Sequence, residues 1–110
     1  MKVRFHGDVW YWRGPSPFHF VTVPEAPSHD IHQIAALVTY GWGVIPCVAE
    51  IGGTTWRTSL IPKDDAYLVP IKAAVRVAEG IEVGDRVAIT LTVGESLADD
   101  ERRRPSPPKR

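Results

Sequence analysis

The residues best suited to chemistry form a short basic and polar set: Arg57, Ser59, Lys72 and Arg76. Arg57 and Ser59 stand two apart in "TTWRTSLI", so on a strand they project from one face together with Thr55. Lys72 and Arg76 stand four apart in "PIKAAVRVAEG", so on a helix they share a face. If that helix end meets that strand, three cations and a hydroxyl converge. Guanidinium forks suit a carboxylate or a phosphate. The competing arrangement is a solvated basic face, or Lys72 and Arg76 paired with Glu79 and nearby acids.

A second set is aromatic. Trp42 lies between two glycines, where backbone can approach a ligand closely. Trp10, Trp12, Phe18 and Phe20 come from one stretch and Trp56 from another. Rings of this kind line planar-ligand sites, but they also dominate ordinary cores. Core packing is the expectation for Trp56 and for the Trp10–Phe20 group, and Trp42 is kept with the basic residues as ligand-binding. Cys47, with Ile45, Ala49 and Ile51 on its side of an apolar stretch, reads as a buried, inert thiol. His29 and His32 stand three apart, and the remaining histidines are His6 and His19, so surface histidines are expected and no metal site. No nucleophile elbow or phosphate loop is present, and "GIEVGD" reads as a turn. No catalytic residue and no cofactor is expected.

The elements that must position these residues follow from periodicity. Residues 2–13 alternate as a long strand, with Val3, Phe5, Val9 and Tyr11 on one side. Gly7 either leaves that alternation intact or marks a bulge that swaps the faces beyond it. "GPSP" turns the chain into a returning strand at 18–23. Pro24 to Pro27 interrupts, and a helix is expected over 28–39, capped by Ser28 or Asp30, with Ile31, Ile34, Ala35 and Val38 inward. Strands follow at 44–51 and 54–61 around a Gly-Gly hairpin turn. "PKDD" reads as a polar loop. A short strand at 67–71 meets Pro70, which suggests an edge or the strand's end. A second helix at 71–79 has Ile71, Ala74, Val75 and Ala78 inward, and a last strand runs 86–93. Two stretches share the order strand, proline, helix, glycine, strand. Two such units can close into one small barrel, which leaves few free edges.

Bulk properties narrow the function classes. The 110 residues are 44% hydrophobic, enough for one core, expected over 1–93. Residues 94–110 lack apolar periodicity and read as a disordered tail. Lys plus Arg equals Asp plus Glu at 13 each, and removing residues 95–110 leaves 8 basic and 9 acidic. A duplex-gripping module carries a basic excess, so nucleic acid is not the expected partner. One cysteine, no signal pattern and no long apolar run point to the cytoplasm without membrane association.

The segment "VPIKAAVRVAEGIEVGDRVAI" resembles the half-motif of small DNA-binding transcription factors of the AbrB type. The longer stretch "GWGVIPCVAEIGGTTWRTSLIPKDDAYLVPIKAAVRVAEGIEVGDRVAITL", with "FHGDVWYW" and "FHFVTVP" before it, resembles the family known as domain of unknown function nineteen-oh-five. That resemblance covers roughly residues 3–93 and implies a double-split β-barrel, AbrB-like in architecture, with no established activity. Some relatives are similar to, or joined with, proteins described as bacteriocin-protection factors. The expected fold is therefore mainly β with two short helices, a small closed barrel of two pseudo-repeated halves. The expected function is a non-catalytic domain, a monomer or weak homodimer, that binds a small anionic or aromatic ligand or a protein partner. An AbrB-like nucleic-acid binder and an enzyme with an unrecognised site are the alternatives.

Overall fold

Apolar residues at period two carry most of the chain into strands, and two helical stripes break that rhythm once in each half. The computed structural model describes residues 1–38 and 44–93. The order is β1 (Lys2–Trp12), β2 (Phe18–Thr22), α1 (Glu25–Val38), β3 (Ile45–Ile51), β4 (Thr54–Lys63), β5 (Ala66–Pro70), α2 (Ala73–Glu79) and β6 (Arg86–Val93). The six strands pair antiparallel and close into a barrel in the order β1-β2-β5-β4-β3-β6. Trp42 and the stretch read as a tail lie outside the described residues.

The two longest strands each change partner along their length. β1 pairs with β6 over residues 2–8 and with β2 over 9–12. β4 pairs with β3 over 54–60 and with β5 over 61–63. Both halves of the chain thus run strand, strand, helix, strand. The interior is filled by aliphatic side chains from every strand, among them Val9, Val21, Leu60, Val69, Ile89 and Leu91. Helix α1 packs against β1, β3 and β5, with Ile31 fully buried, and α2 packs against β4. Trp56 joins the core at 8% exposure, as expected of it.

Several local expectations are corrected. α1 begins at Glu25 rather than 28, because Pro27 sits in its first turn, where a missing N–H costs nothing. Ser28 therefore does not cap the helix; its buried hydroxyl donates to the Val23 carbonyl at 3.0 Å. "PKDD" is not a loop. β4 runs on through Pro62 and Lys63, and Asp64 and Asp65 form a two-residue turn with φ of 51° and 66°. Both lie in the left-handed region that this kind of hairpin needs, where Asp is tolerated. Pro70 ends β5, which lies between β2 and β4 rather than at an edge. α2 begins at Ala73, and of its four expected inward residues Ile71 and Val75 are buried while Ala74 and Ala78 are exposed. It ends in a Schellman motif: the Ile81 and Gly80 N–H groups donate to the Arg76 and Val77 carbonyls, and Gly80 takes φ of 63°.

Gly7 settles the register of β1. Pairing from Lys2↔Thr92 to Asp8↔Arg86 is unbroken, so no bulge intervenes and Phe5, Gly7 and Val9 all face inward. A Cβ at Gly7 would stand 2.5 Å from Val21 Cγ1 and 3.4 Å from the Thr22 carbonyl. Gly7→Ala should destabilise the fold by about 1–3 kcal/mol through overpacking. Combined with Val21→Ala, the two costs should sum to less than their separate values, since each relieves the other. Urea denaturation of the four variants checks this, and strict additivity would refute the contact.

Cys47 is 1% exposed, and burial pushes its thiol up to about 12. Between its unfolded value, about 9, and that folded value the unfolded chain sheds a proton that the folded chain keeps. Stability should therefore fall as pH rises through this window, by up to about 1.4 kcal/mol per pH unit. Replacing Cys47 by Ala should remove that part of the slope in pH-dependent denaturation. Thiol reagents near neutral pH should label Cys47 only after unfolding.

Candidate functional site

The β1–β2 hairpin carries aromatic residues on both faces. Val9 and Val21 pair and point inward, so the alternation turns Trp10, Trp12, Phe18 and Phe20 outward. These four were expected in the core, and the structure places them on the barrel's outer face instead. Trp10 pairs with Phe20 and Trp12 with Phe18 across the hairpin. Ring centroids lie 5.5 Å apart for Trp10–Phe20, 6.4 Å for Trp12–Phe20 and 5.7 Å for Phe18–Phe20, all tilted. Phe20 is thereby buried to 4% exposure, although it stands outside the core cluster. Trp12 and Phe18 remain 43% and 37% exposed.

The rings are held in place. Trp10 Nε1 donates to the Thr22 hydroxyl at 3.0 Å. The indole of Trp12 lies over Gly14, in space that any Cβ there would fill. The apolar surface continues sideways along the same face. Phe20 pairs with Pro70, Thr22 with Leu68, and Leu68 with Ile61, which is exposed.

The basic set divides. The outward alternation of β4 includes Ile61, Ser59, Arg57 and Thr55, so Ser59 and Arg57 share the face of the rings. After Pro70 the chain stays extended: Ile71 is buried, its N–H donates to the His19 carbonyl at 2.9 Å, and Lys72 has φ −65° and ψ 152°. Lys72 therefore continues the outward row beside Phe18 and is exposed. Arg76 goes elsewhere. It is half-buried, its Nε meets no hydrogen-bond partner, and its charge reaches His19 on the inward row of β2. Burial first, and then that charge, lower His19 from its usual value. Glu79 is not its partner; the Glu79 carboxylate accepts the Thr54 hydroxyl and lies against Gly52 of the β3–β4 turn.

A groove of about 1010 Å³ runs between α1 and the β4–β5 turn, lined by His29, His32, Lys63, Asp64, Asp65 and Tyr67 among others. Both histidines are engaged on the surface: His29 Nε2 with Gln33 at 3.0 Å, and His32 Nδ1 with the Tyr67 hydroxyl at 3.4 Å. Burial raises the Tyr67 phenol above its usual value. Lys63 pairs with the well-exposed Asp64 at 3.5 Å. Among the described residues no group of three His, Cys, Asp or Glu stands close enough to hold a metal ion, and no helix is long and apolar enough to cross a membrane. The groove is open, and its Lys63–Asp64 pair is solvated.

Periodicity separated the two sides of the hairpin but not inside from outside, because both carry large apolar residues. The usable signal was in the turn: a glycine two residues after Trp12 leaves room for an indole folded back over the chain.

No curated protein matches the chain. A family model described as "Domain of unknown function (DUF1905)" matches residues 5–91, from Phe5 in β1 to Leu91 in β6. That span takes in both helices, the outward rings and all of the barrel but the start of β1 and the end of β6, and by it the chain belongs to the DUF1905 family.

Proposed function

We propose that this is a non-catalytic binding domain whose site is the outer face of the β1–β2 hairpin, and that it takes a planar, anionic ligand. The observation that carries this reading is the exposed pair Trp12 and Phe18, seated on Phe20 with Lys72 beside them. Such a surface costs apolar exposure in water, and rigid rings with a nearby cation recover that cost on binding a flat, negatively charged partner. The filled interior supports an outside site. The sealed thiol of Cys47 and the engaged surface histidines support binding over catalysis. Arg57 and Ser59 extend the site along β4, and Arg76 acts on it through the position of α2. The sharing of β1 and β4 between neighbours supports reading the barrel as double-split and AbrB-like, and a chain of this kind as cytoplasmic.

The test uses anilinonaphthalene sulfonate, a planar aromatic anion, titrated into the full chain by fluorescence. Trp12→Ala should weaken binding about tenfold, the order of one lost ring contact. Lys72→Ala and Arg57→Ala should each weaken it several-fold, more at low salt than at high. Lys72→Ala and Arg57→Ala should keep the parent's thermal midpoint within a few degrees, because those side chains are exposed. Equal affinity in the parent and all three variants would remove the site.

A further inference from the structure

We propose that the ligand of this outer face is single-stranded nucleic acid, with unpaired bases stacked on Trp12 and Phe18 and phosphates held by Lys72 and Arg57. This inference rests on reading the ring face as the binding site. Three features carry it.

The first is the ring arrangement. Trp12 and Phe18 stand opposite each other across the hairpin, so their Cα atoms are roughly 4.5–5.5 Å apart. An unstacked strand can lay successive bases across such a pair. The rings are fixed beforehand by the Trp10–Thr22 hydrogen bond, by Gly14 beneath Trp12 and by the Phe20 floor. Little side-chain freedom is left to lose on binding.

The second is charge. Lys72 and Arg57 stand on the same face as the rings, at the side away from β1. Asp8, the acid on the outward row of β1, is drawn to Arg86 at 3.4 Å. A phosphate following the bases across the sheet therefore meets the exposed Lys72, with Arg57 farther along the same outward row.

The third is the chain's charge balance, which separates single strands from duplexes. A duplex hides its base faces and is held through many phosphates, which a near-neutral body cannot supply. A single strand offers its base faces directly. Stacking on aromatic side chains contributes about 1–3 kcal/mol per base and tolerates any base. Two cations then suffice to orient the backbone, so binding should be only weakly dependent on both salt and sequence.

The experiment is fluorescence anisotropy of a labelled thymidine octanucleotide with the full chain, from about 50 to about 200 mM salt. Binding should fall with salt at a log–log slope of roughly −1.4, two phosphate contacts' worth. Lys72→Ala should reduce the slope by about 0.7. Trp12→Ala should cost about tenfold or more, with Trp12→Phe restoring most of it. The matching duplex should bind more weakly than the single strand. Oligonucleotide binding that ignores Trp12, or a slope several times steeper, would assign it to other basic residues and overturn the inference. Sulfonate binding through Trp12 with no oligonucleotide binding would overturn the inference and leave the site standing. Failure of both ligands would remove the site as well.

Discussion

A β-strand has two hydrogen-bonding edges, and the architecture of this chain follows from satisfying both in six short strands. No strand could stay flat and do so. β1 and β4 meet the demand by changing partners part-way, from β6 to β2 and from β3 to β5. The helices pack on the outside of this arrangement, α1 against β1, β3 and β5 and α2 against β4. Closure also fixes the size of the interior. Six strands enclose a space that Val, Ile and Leu side chains fill, and Gly7 is needed where β1 passes closest to Val21.

The outer surface is uneven. Most outward positions carry polar or charged side chains, as expected of a solvated barrel wall. The β1–β2 hairpin does not. Four rings gather there, and with Leu68, Pro70 and Ile61 they make a second apolar layer on the wrong side of the sheet. The layer is ordered rather than incidental: one indole is hydrogen-bonded, another rests on a glycine, and one phenyl ring is buried beneath its neighbours. Glu25, Asp30, Asp64 and Asp65 line the groove between α1 and the β4–β5 turn, away from this layer.

Much of this was legible from residues alone. All eight elements were readable in order, because alternation and helical stripes are strong signals, and the pairing of halves was visible as a repeated strand, proline, helix and glycine. What failed had local causes. Pro27 read as a breaker, yet a proline in the first turn of a helix removes no needed donor. Asp64 and Asp65 read as loop because their left-handed conformation is invisible in composition. Ala74 and Ala78 matched a helical stripe, but α2 is only seven residues long and buries Val75 alone. The hairpin rings were the largest miss. Val9 and Tyr11 on one side and Trp10 and Trp12 on the other are all apolar, and only closure decides which side becomes interior. Of the basic residues, spacing placed Arg57 with Ser59 and set Lys72 and Arg76 together on one helix face; Lys72 instead stays extended before α2, so the two part.

The first strand pairs along most of its length with the last: Lys2 lies opposite Thr92, and the Val9 N–H reaches the Asp85 carbonyl. During synthesis β1 leaves the ribosome long before β6 exists. Its hairpin with β2 can form early, but one edge must wait, unsatisfied, for nearly the whole described chain to be made. A half-made molecule is thus an open sheet with sticky rims, and closure must wait until β6 has been made. Cells that make this protein quickly would crowd such unfinished sheets together, so its yield should depend on the pace of translation more than its modest size suggests.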